Sequence, residues 1–171
     1  LAQRMVEQFH DADEGGFFFT SNDHERLITR LKDAQDNATP SGNGMAAYAL
    51  LRLGRLTSRS DLIDLGKQTL DVLSGQFARS AMANGQALLA LDDWLGPAFE
   101  LVLMDGADRA QSDAAWHEVT RQFRPHQVAL RVPSTDNDMS TLNALCKGKS
   151  AINSEPTLYA CQFGSCGAPA V

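Results

Sequence analysis

Cysteine is scarce in this sequence, which holds three cysteines among its 171 residues. So few cysteines do not make the disulfide framework on which small secreted domains depend. The odd number still leaves room for a single bridge. We therefore expect a reducing compartment, with the cytoplasm as the location of the protein.

Excess positive charge and long apolar runs are missing as well. The 15 basic residues are outnumbered by 21 acidic ones, and the formal net charge is −6. This balance argues against nucleic acid or an anionic membrane as a partner, because both attract a basic surface. No apolar run approaches the roughly 18 residues of a membrane span, and the first residues lack the pattern of a signal peptide. Hydrophobic residues make up 43% of the chain, which is enough for a sizeable core.

A long loop follows a short helical stripe at the start of the sequence. Leu1, Met5 and Phe9 recur every four residues, as on one face of an amphipathic helix. Between Asp11 and Gly44 the helical periodicity stops. Loops longer than about 15 residues are uncommon in compact domains unless they carry function. The loop 11–44 is therefore the first place to look for a site.

Three amphipathic helices are predicted after the loop. Their apolar positions are spaced by three and four residues: Ala46, Ala49, Leu50 and Leu53, then Ile63, Gly66, Leu70, Leu73 and Phe77, then Leu88, Leu91 and Leu95. Gly54 is expected to end the first of these helices, Ser60 to cap the second, and Gly96-Pro97 to end the third. Short connections of this kind predict antiparallel helical hairpins.

The pattern changes to β-α-β in the last third of the chain. Two apolar runs, 99–104 and 127–132, flank a helical stretch that holds Ala115, Val119 and Phe123. A crossover of this length joins parallel strands. One short helix around 142–146 and a further strand in TLYACQF complete the prediction. The expected fold is mainly α, with helical hairpins in residues 1–96 and a small α/β extension with a short parallel sheet in residues 97–171.

Two candidate ligand residues lie where the loop meets the first long helix. Ser41 and Asn43 precede that helix directly, and the free N–H groups at a helix start favour an anion or a polar ligand oxygen. The alternative, which we favour, is that these side chains only cap the helix.

Charged residues in the same loop offer a second set of candidates. His24, Arg30, Lys32, Asp33 and Asp36 combine a possible base, two cations and two carboxylates, the mixture used for proton transfer at sugar-isomerising or hydrolytic sites. His24 and Asp36 are the candidate catalytic groups, and Arg30, Lys32 and Asp36 are candidate substrate contacts. Salt bridges that hold the loop together are the simpler interpretation. The aromatic run 17–19 can stack on a sugar ring, although core packing is the interpretation that we favour.

Other features point to structure more than to chemistry. Cys161 and Cys166 are spaced too widely for a zinc knuckle, so we expect no metal there. We expect instead a disulfide, or a redox-active or ordinary pair of thiols, with Cys146 as a third thiol.

Asp105 and Gly106 follow the first predicted strand, at the edge where α/β sheets bind ligands. A single glycine is no phosphate-binding motif, and Asp108 is expected to cap a helix.

Two sequence blocks resemble a known family. GGFFFTSNDHERLITRLKDAQDNATPSGNGMAAYALLRLG is similar to the signature block of the YyaL and spermatogenesis-associated thioredoxin-domain proteins, and LYACQFGSCGAP resembles their closing Cys-x4-Cys-x2-Pro element. The resemblance covers nearly the whole chain. Two positions depart from the family pattern: Leu31 stands where a proline often precedes the lysine, and Gly44 stands where a serine or alanine often follows the asparagine.

The resemblance implies an architecture and a set of functions. Members carry a thioredoxin-like domain followed by an α/α toroid similar to N-acylglucosamine 2-epimerases and six-hairpin glycosidases. This chain is therefore expected to be the C-terminal part of such a protein, with a partial toroid in its helical hairpins. It implies carbohydrate binding or a sugar isomerase or hydrolase activity, with a sugar or sugar phosphate as ligand and no cofactor. The alternatives are a non-catalytic structural or interaction module and a thiol-redox accessory. The expected partner is the rest of the full-length protein or a second copy of the chain.

Overall fold

The computed structural model describes residues 1–25, 28–134, 144–162 and 165–171. Its helices are α1 (Ala2–Phe9), α2 (Gly42–Thr57), α3 (Ser60–Phe77), α4 (Gly85–Leu95) and α5 (Arg109–Thr120), with 3-10 turns at Met82–Asn84 and Ala144–Cys146. Its strands are β1 (Phe99–Met104), β2 (Gln127–Val132), β3 (Thr157–Gln162) and β4 (Ser165–Cys166). The protein is therefore helix-rich with a small sheet, as the sequence predicts.

The chain divides into two compact units. One comprises Leu1–Gly54 and Ser60–Leu95, and the other comprises Arg55–Arg59 and Gly96–Val171. The first unit is helical and holds the long loop, whereas the second holds the sheet and α5. The toroid architecture implied by the family resemblance stays a prediction.

Helix α2 is the centre of the helical unit because it packs on two sides. Its residues Ala46 and Leu50 pack in one buried cluster with Phe17 of the loop, and α1 contributes Met5 and Phe9 to that cluster. A second buried cluster combines residues of α2, α3 and α4: Ala47, Leu51, Leu70 and Ala90. One face of α2 thus packs against α1, the loop and the start of α3, and another face packs against α3 and α4.

The sheet of the second unit is mixed, with strand order β2-β1-β3-β4. Strands β1 and β2 are parallel and are joined through α5, so the β-α-β prediction is confirmed. Strand β3, which the sequence predicts near TLYACQF, pairs antiparallel with β1 and with β4. The sheet is therefore not wholly parallel. A returning strand at the end of the chain needs no crossover helix, which allows this antiparallel addition.

Three boundaries differ from the sequence prediction. Helix α2 begins at Gly42, inside the predicted loop, and runs through Gly54 to Thr57. Gly54 is buried within the helix, so tertiary packing outweighs the low helix propensity of glycine. Helix α5 ends at Thr120, and Phe123 lies beyond it with 89% of its surface exposed. Of the predicted short helix at 142–146, the structure describes the turn Ala144–Cys146, and residues 142 and 143 lie outside the described residues.

Among the helices of the described residues, none combines the length and the apolar character that a membrane span requires.

We predict that Gly66→Ala destabilises the helical unit, because Gly66 packs directly against α2. A β-carbon at Gly66 would lie 2.8 Å from Leu51 Cγ and 3.2 Å from the Ala47 carbonyl oxygen. We expect unfolding free energy to fall by about 1–2 kcal/mol, since overpacking exceeds the gain in helix propensity.

Gly75→Ala, on the same helix, is the matched control. A β-carbon at Gly75 meets no atom within 4 Å, so this change should raise stability by about 0.5–1 kcal/mol. Urea denaturation of both variants measures the difference, and equal effects at the two positions would contradict the close packing of α2 and α3.

Candidate functional site

An ion pair joins the first and middle parts of the long loop. The Asp11 carboxylate accepts the N–H groups of Asp13 (3.0 Å) and Glu14 (3.2 Å) and lies 2.8 Å from the Lys32 ammonium. Lys32 also donates to the Gly15 carbonyl oxygen at 2.8 Å. The hydrogen bond from Lys32 lowers the pKa of Asp11 to about 2, against the opposing effect of burial. Lys32, a predicted substrate contact, is thus engaged within the protein.

The side chain of Asn43 holds the loop against the start of α2. Its Oδ1 accepts the Phe17 N–H at 2.7 Å, and its Nδ2 donates to the carbonyl oxygens of Phe17 and Asp33, both at 2.8 Å. Only 2% of Asn43 is exposed. Gly16 approaches Asn43 so closely that a β-carbon there would lie 3.0 Å from Asn43 Oδ1, and its φ of +74° requires glycine. Both amide protons of Asn43 are used inside the protein.

Asp36 and Ser41 satisfy the N-terminal N–H groups of two helices. The carboxylate of Asp36 accepts the Ser41 N–H through Oδ1 and the Gln86 N–H of α4 through Oδ2, both at 2.8 Å. Burial raises the pKa of Asp36, but these backbone donors outweigh that effect and the net pKa is lowered. Ser41 is fully buried, and its Oγ accepts the Gly44 N–H at 3.2 Å, which makes it the N-cap of α2.

Arg30 packs within the loop. Its guanidinium lies 4.0 Å from the centroid of the Phe18 ring and donates to the carbonyl oxygens of Gln8 and Thr20. Its Nε atom is buried and lacks a hydrogen-bond partner, as do Thr20 Oγ1 and Gln8 Oε1. The arginine therefore combines packing with incompletely satisfied polar atoms.

His24 stands apart from the other predicted catalytic group. It is exposed, and its Nδ1 lies 3.4 Å from the Glu25 carbonyl oxygen. Among the hydrogen bonds of the described residues, none joins His24 to Asp36. An acid-base pair of these two residues is not assembled in this structure, and their catalytic role stays a prediction.

Asp33, a charged loop residue for which no binding role was predicted, lines several clefts, two of which also contain Phe19. A cleft of about 370 Å³ is lined by Phe19, Leu31, Lys32, Asp33, Asn37 and Thr39. An adjoining pocket of about 210 Å³ contains Asp33 and Asn43 next to the aromatic run 17–19. Of these aromatics, Phe17 is buried as core, whereas 72% of Phe19 is exposed. Exposure of an aromatic ring beside a carboxylate depends on tertiary packing, so the sequence pattern did not reveal it.

The carboxyl edge of the parallel strands forms a larger pocket in the second unit. It measures about 540 Å³ and includes Asp105 and Gly106 after β1, Asp113 on α5 and Arg131 on β2. Arg131 Nε lies 2.7 Å from Asp105, and its second guanidinium nitrogen lies 2.7 Å from Asp113. These two carboxylates raise the pKa of Arg131. Arg109 also lines the pocket, so its charged residues are two arginines and two aspartates.

The cysteines are divided between the sheet and the core. Cys161 on β3 and Cys166 on β4 form a disulfide, one of the options that the sequence left open. Cys161 is buried and Cys166 is exposed. Cys146 is a free thiol in the buried cluster beside β1, and burial raises its pKa. Within the described ranges, His, Cys, Asp and Glu side chains form no group of three suited to a metal ion.

The class of the protein follows from these features: a helix-rich chain with a braced N-terminal loop and a small mixed sheet. No family model matches the chain. It is 26% identical over 170 residues to human Spermatogenesis-associated protein 20, a similarity that covers 94% of the chain and 21% of the human protein. It is 29% identical over 123 residues to the rat protein of that name, covering 71% of the chain and 16% of the relative. The chain thus spans about a fifth of the length of these curated relatives, and the similarity supports a relationship to that family.

We predict that Lys32→Met lowers stability at neutral pH and flattens its dependence on acid. Asp11 has a pKa of about 2 in the folded protein, below its ordinary value of 3.8. Its contribution is therefore present above about pH 4 and is lost as the pH falls toward 2. Without Lys32 that loss should shrink.

Urea denaturation between pH 2 and pH 7 measures this effect. Glu14→Gln is the control, since Glu14 lies 3.6 Å from Lys32 but is 82% exposed, so its removal should change little. An equally steep acid dependence in Lys32→Met and in the parent would argue against the Asp11 pair.

Proposed function

We propose that this chain is a structural and interaction module in which the loop 11–41 acts as a folded brace between helices. The supporting observation is that polar side chains of this loop and of the start of α2 form hydrogen bonds and ion pairs within the protein. The predicted ligand contacts Lys32, Asp36, Ser41 and Asn43 all bond to groups inside the protein. Side chains that recognise a ligand normally keep donors or acceptors available for it.

One observation carries this proposal: the three hydrogen bonds of the Asn43 side chain. They connect the start of α2 to two segments of the loop that lie 26 and 10 residues away in sequence. Buried backbone groups need partners, and an irregular loop cannot supply them through regular secondary structure. Asn43 supplies them, so its role is to hold the loop in one conformation.

The partner that we propose is a further set of helices of a partial α/α toroid, from the same larger protein. Large apolar side chains on the helical unit remain exposed: Phe19, Leu31, Met82, Leu89 and Leu95 are each at least 59% exposed. Exposed apolar surface of this kind marks sites of association. The short share of its relatives that the chain spans agrees with such a partner. In isolation the same surface would promote self-association.

Carbohydrate binding is the second candidate, and it rests on the cleft at Asp33. Phe19 offers an exposed aromatic face, and Asp33 and Lys32 offer polar groups beside it. An aromatic ring with adjacent polar side chains suits the apolar face and the hydroxyls of a sugar. Proposed ligand contacts in this case are Phe19 and Asp33, together with Lys32. Arg30 contributes indirectly, by its packing on Phe18.

We predict that Asn43→Ala unfolds at a markedly lower temperature than the parent. The change leaves the Phe17 N–H and two carbonyl groups without their partner, at about 1–3 kcal/mol for each buried group. Asn37→Ala is the matched control, because Asn37 is an exposed asparagine of the same loop and should cost little.

Thermal melts of both variants, beside calorimetric titration of the parent with monosaccharides and sugar phosphates, separate the two candidate functions. Loss of stability in Asn43→Ala with no sugar bound by the parent supports the module. Sugar binding that Phe19→Ala abolishes without lowering the melting temperature would instead establish the cleft as a carbohydrate site.

We predict that Leu89→Glu reduces self-association of the chain without lowering its stability. Leu89 is 59% exposed on α4, so a charge there meets solvent in the monomer and an apolar surface in the associated form. Gln111→Glu adds the same charge at an exposed position of α5 and is the control. Light scattering after gel filtration measures the mass. A parent chain that stays monomeric at high concentration would contradict the proposed association surface.

A further inference from the structure

A carboxyl group lies in line with the disulfide across the sheet. Glu100 on β1 is directly opposite Cys161 on β3, and Cys161 is directly opposite Cys166 on β4. Residues directly opposite in antiparallel strands project from the same face, with β-carbons about 4.5–5.5 Å apart. Glu100, Cys161 and Cys166 therefore form a row across three strands on one face of the sheet.

Glu100 is an unusual residue for the interior position that it occupies. Only 9% of it is exposed, and its Oε2 atom is buried without a hydrogen-bond partner. A buried carboxyl oxygen that lacks a hydrogen-bond partner costs stability, which makes a purely structural role a poor account of this residue. An interior β-strand position next to a sulfur pair would be filled more favourably by an apolar side chain.

The surroundings of Glu100 favour its protonated form. Burial raises the pKa of Glu100, and the opposing effect of the Arg55 guanidinium is smaller. The carboxyl therefore keeps its proton to a higher pH than an ordinary glutamate. On the same face lie the Cys161–Cys166 disulfide and the Tyr159 phenol, and the buried thiol of Cys146 with Lys149 near it.

We propose that Glu100, Cys161 and Cys166 form a thiol–disulfide exchange site, in which Glu100 transfers a proton to and from the buried sulfur of Cys161. The exposed sulfur of Cys166 is the point of attack, and the co-reactant is a dithiol. This activity is independent of the bracing role proposed for the loop.

The exchange is balanced in atoms and electrons. One thiolate of the dithiol attacks Cys166 Sγ, which forms a mixed disulfide and breaks the bond to Cys161. The electron pair of the broken bond leaves on Cys161 Sγ, and Glu100 supplies the proton that makes it a thiol. The second thiolate of the co-reactant then attacks the co-reactant sulfur of the mixed disulfide, the bond to Cys166 breaks, and Cys166 leaves as a thiolate that takes a proton from solvent. The dithiol is oxidised to a disulfide, the two cysteines are reduced, and solvent reprotonates Glu100.

The proton matters because Cys161 is buried. A thiolate leaving into an apolar interior is destabilised by desolvation, and the penalty is removed if a proton arrives as the bond breaks. In the reverse direction the Glu100 carboxylate takes the proton of Cys161 and generates the attacking thiolate. Glu100→Gln keeps the shape of the side chain and removes this proton transfer.

The test is the rate at which dithiothreitol reduces the 171-residue chain and its Glu100→Gln variant, measured from pH 5 to pH 9. Free thiols are counted by mass spectrometry after alkylation, and each rate is divided by the concentration of dithiothreitol thiolate. We expect the variant to react at least about 10-fold more slowly at the acidic end. The difference should disappear at high pH, where Glu100 has lost its proton.

A ratio of parent to variant rates that stays constant across this pH range would overturn the proposal, because a structural effect of the substitution has no reason to follow the titration of Glu100. If Glu100→Gln does not fold, the pH profile of the parent alone tests the proposal. Its thiolate-corrected rate should fall as Glu100 deprotonates, and a flat profile would equally overturn the proposal. Glu100→Asp, which keeps a carboxyl at shorter reach, should restore part of the pH dependence.

Discussion

The amide of Asn43 is the contact on which the helical unit depends. Its three hydrogen bonds join the start of α2 to the Phe17 backbone and to the Asp33 carbonyl. Phe17 itself packs in the buried cluster beside α2. One buried side chain thus satisfies backbone groups of the irregular loop at Phe17 and at Asp33.

Two carboxylates make further contacts that hold the loop in place. Asp11 closes the first turn of the loop with Lys32, and Asp36 receives the N–H groups that two helices leave unpaired at their starts. Negative charge at helix N-termini is favourable because those N–H groups carry partial positive charge. The acidic residues of the loop therefore serve the fold first. The exposed ring of Phe19 beside Asp33 is the part of this region that remains open to a ligand.

The sheet brings a carboxyl group and a disulfide that are far apart in sequence onto one face. Glu100 and Cys161 are separated by α5, by β2 and by the segment before β3, yet the antiparallel register sets them opposite each other. Whether this bridge is closed or open depends on the redox potential of its surroundings.

Local pattern determined the kind and position of the main elements. The spacing of apolar residues located α3 and α4, and short β-rich runs located β1 and β2, because these signals are set by side chains within a few residues of one another. The contacts of Asn43 with Phe17 and the strand pairing of Glu100 with Cys161 were decided by tertiary structure alone. In each pair the two residues are far apart in sequence and become neighbours only when separate segments pack together. A single sequence does not show which distant residues will be neighbours.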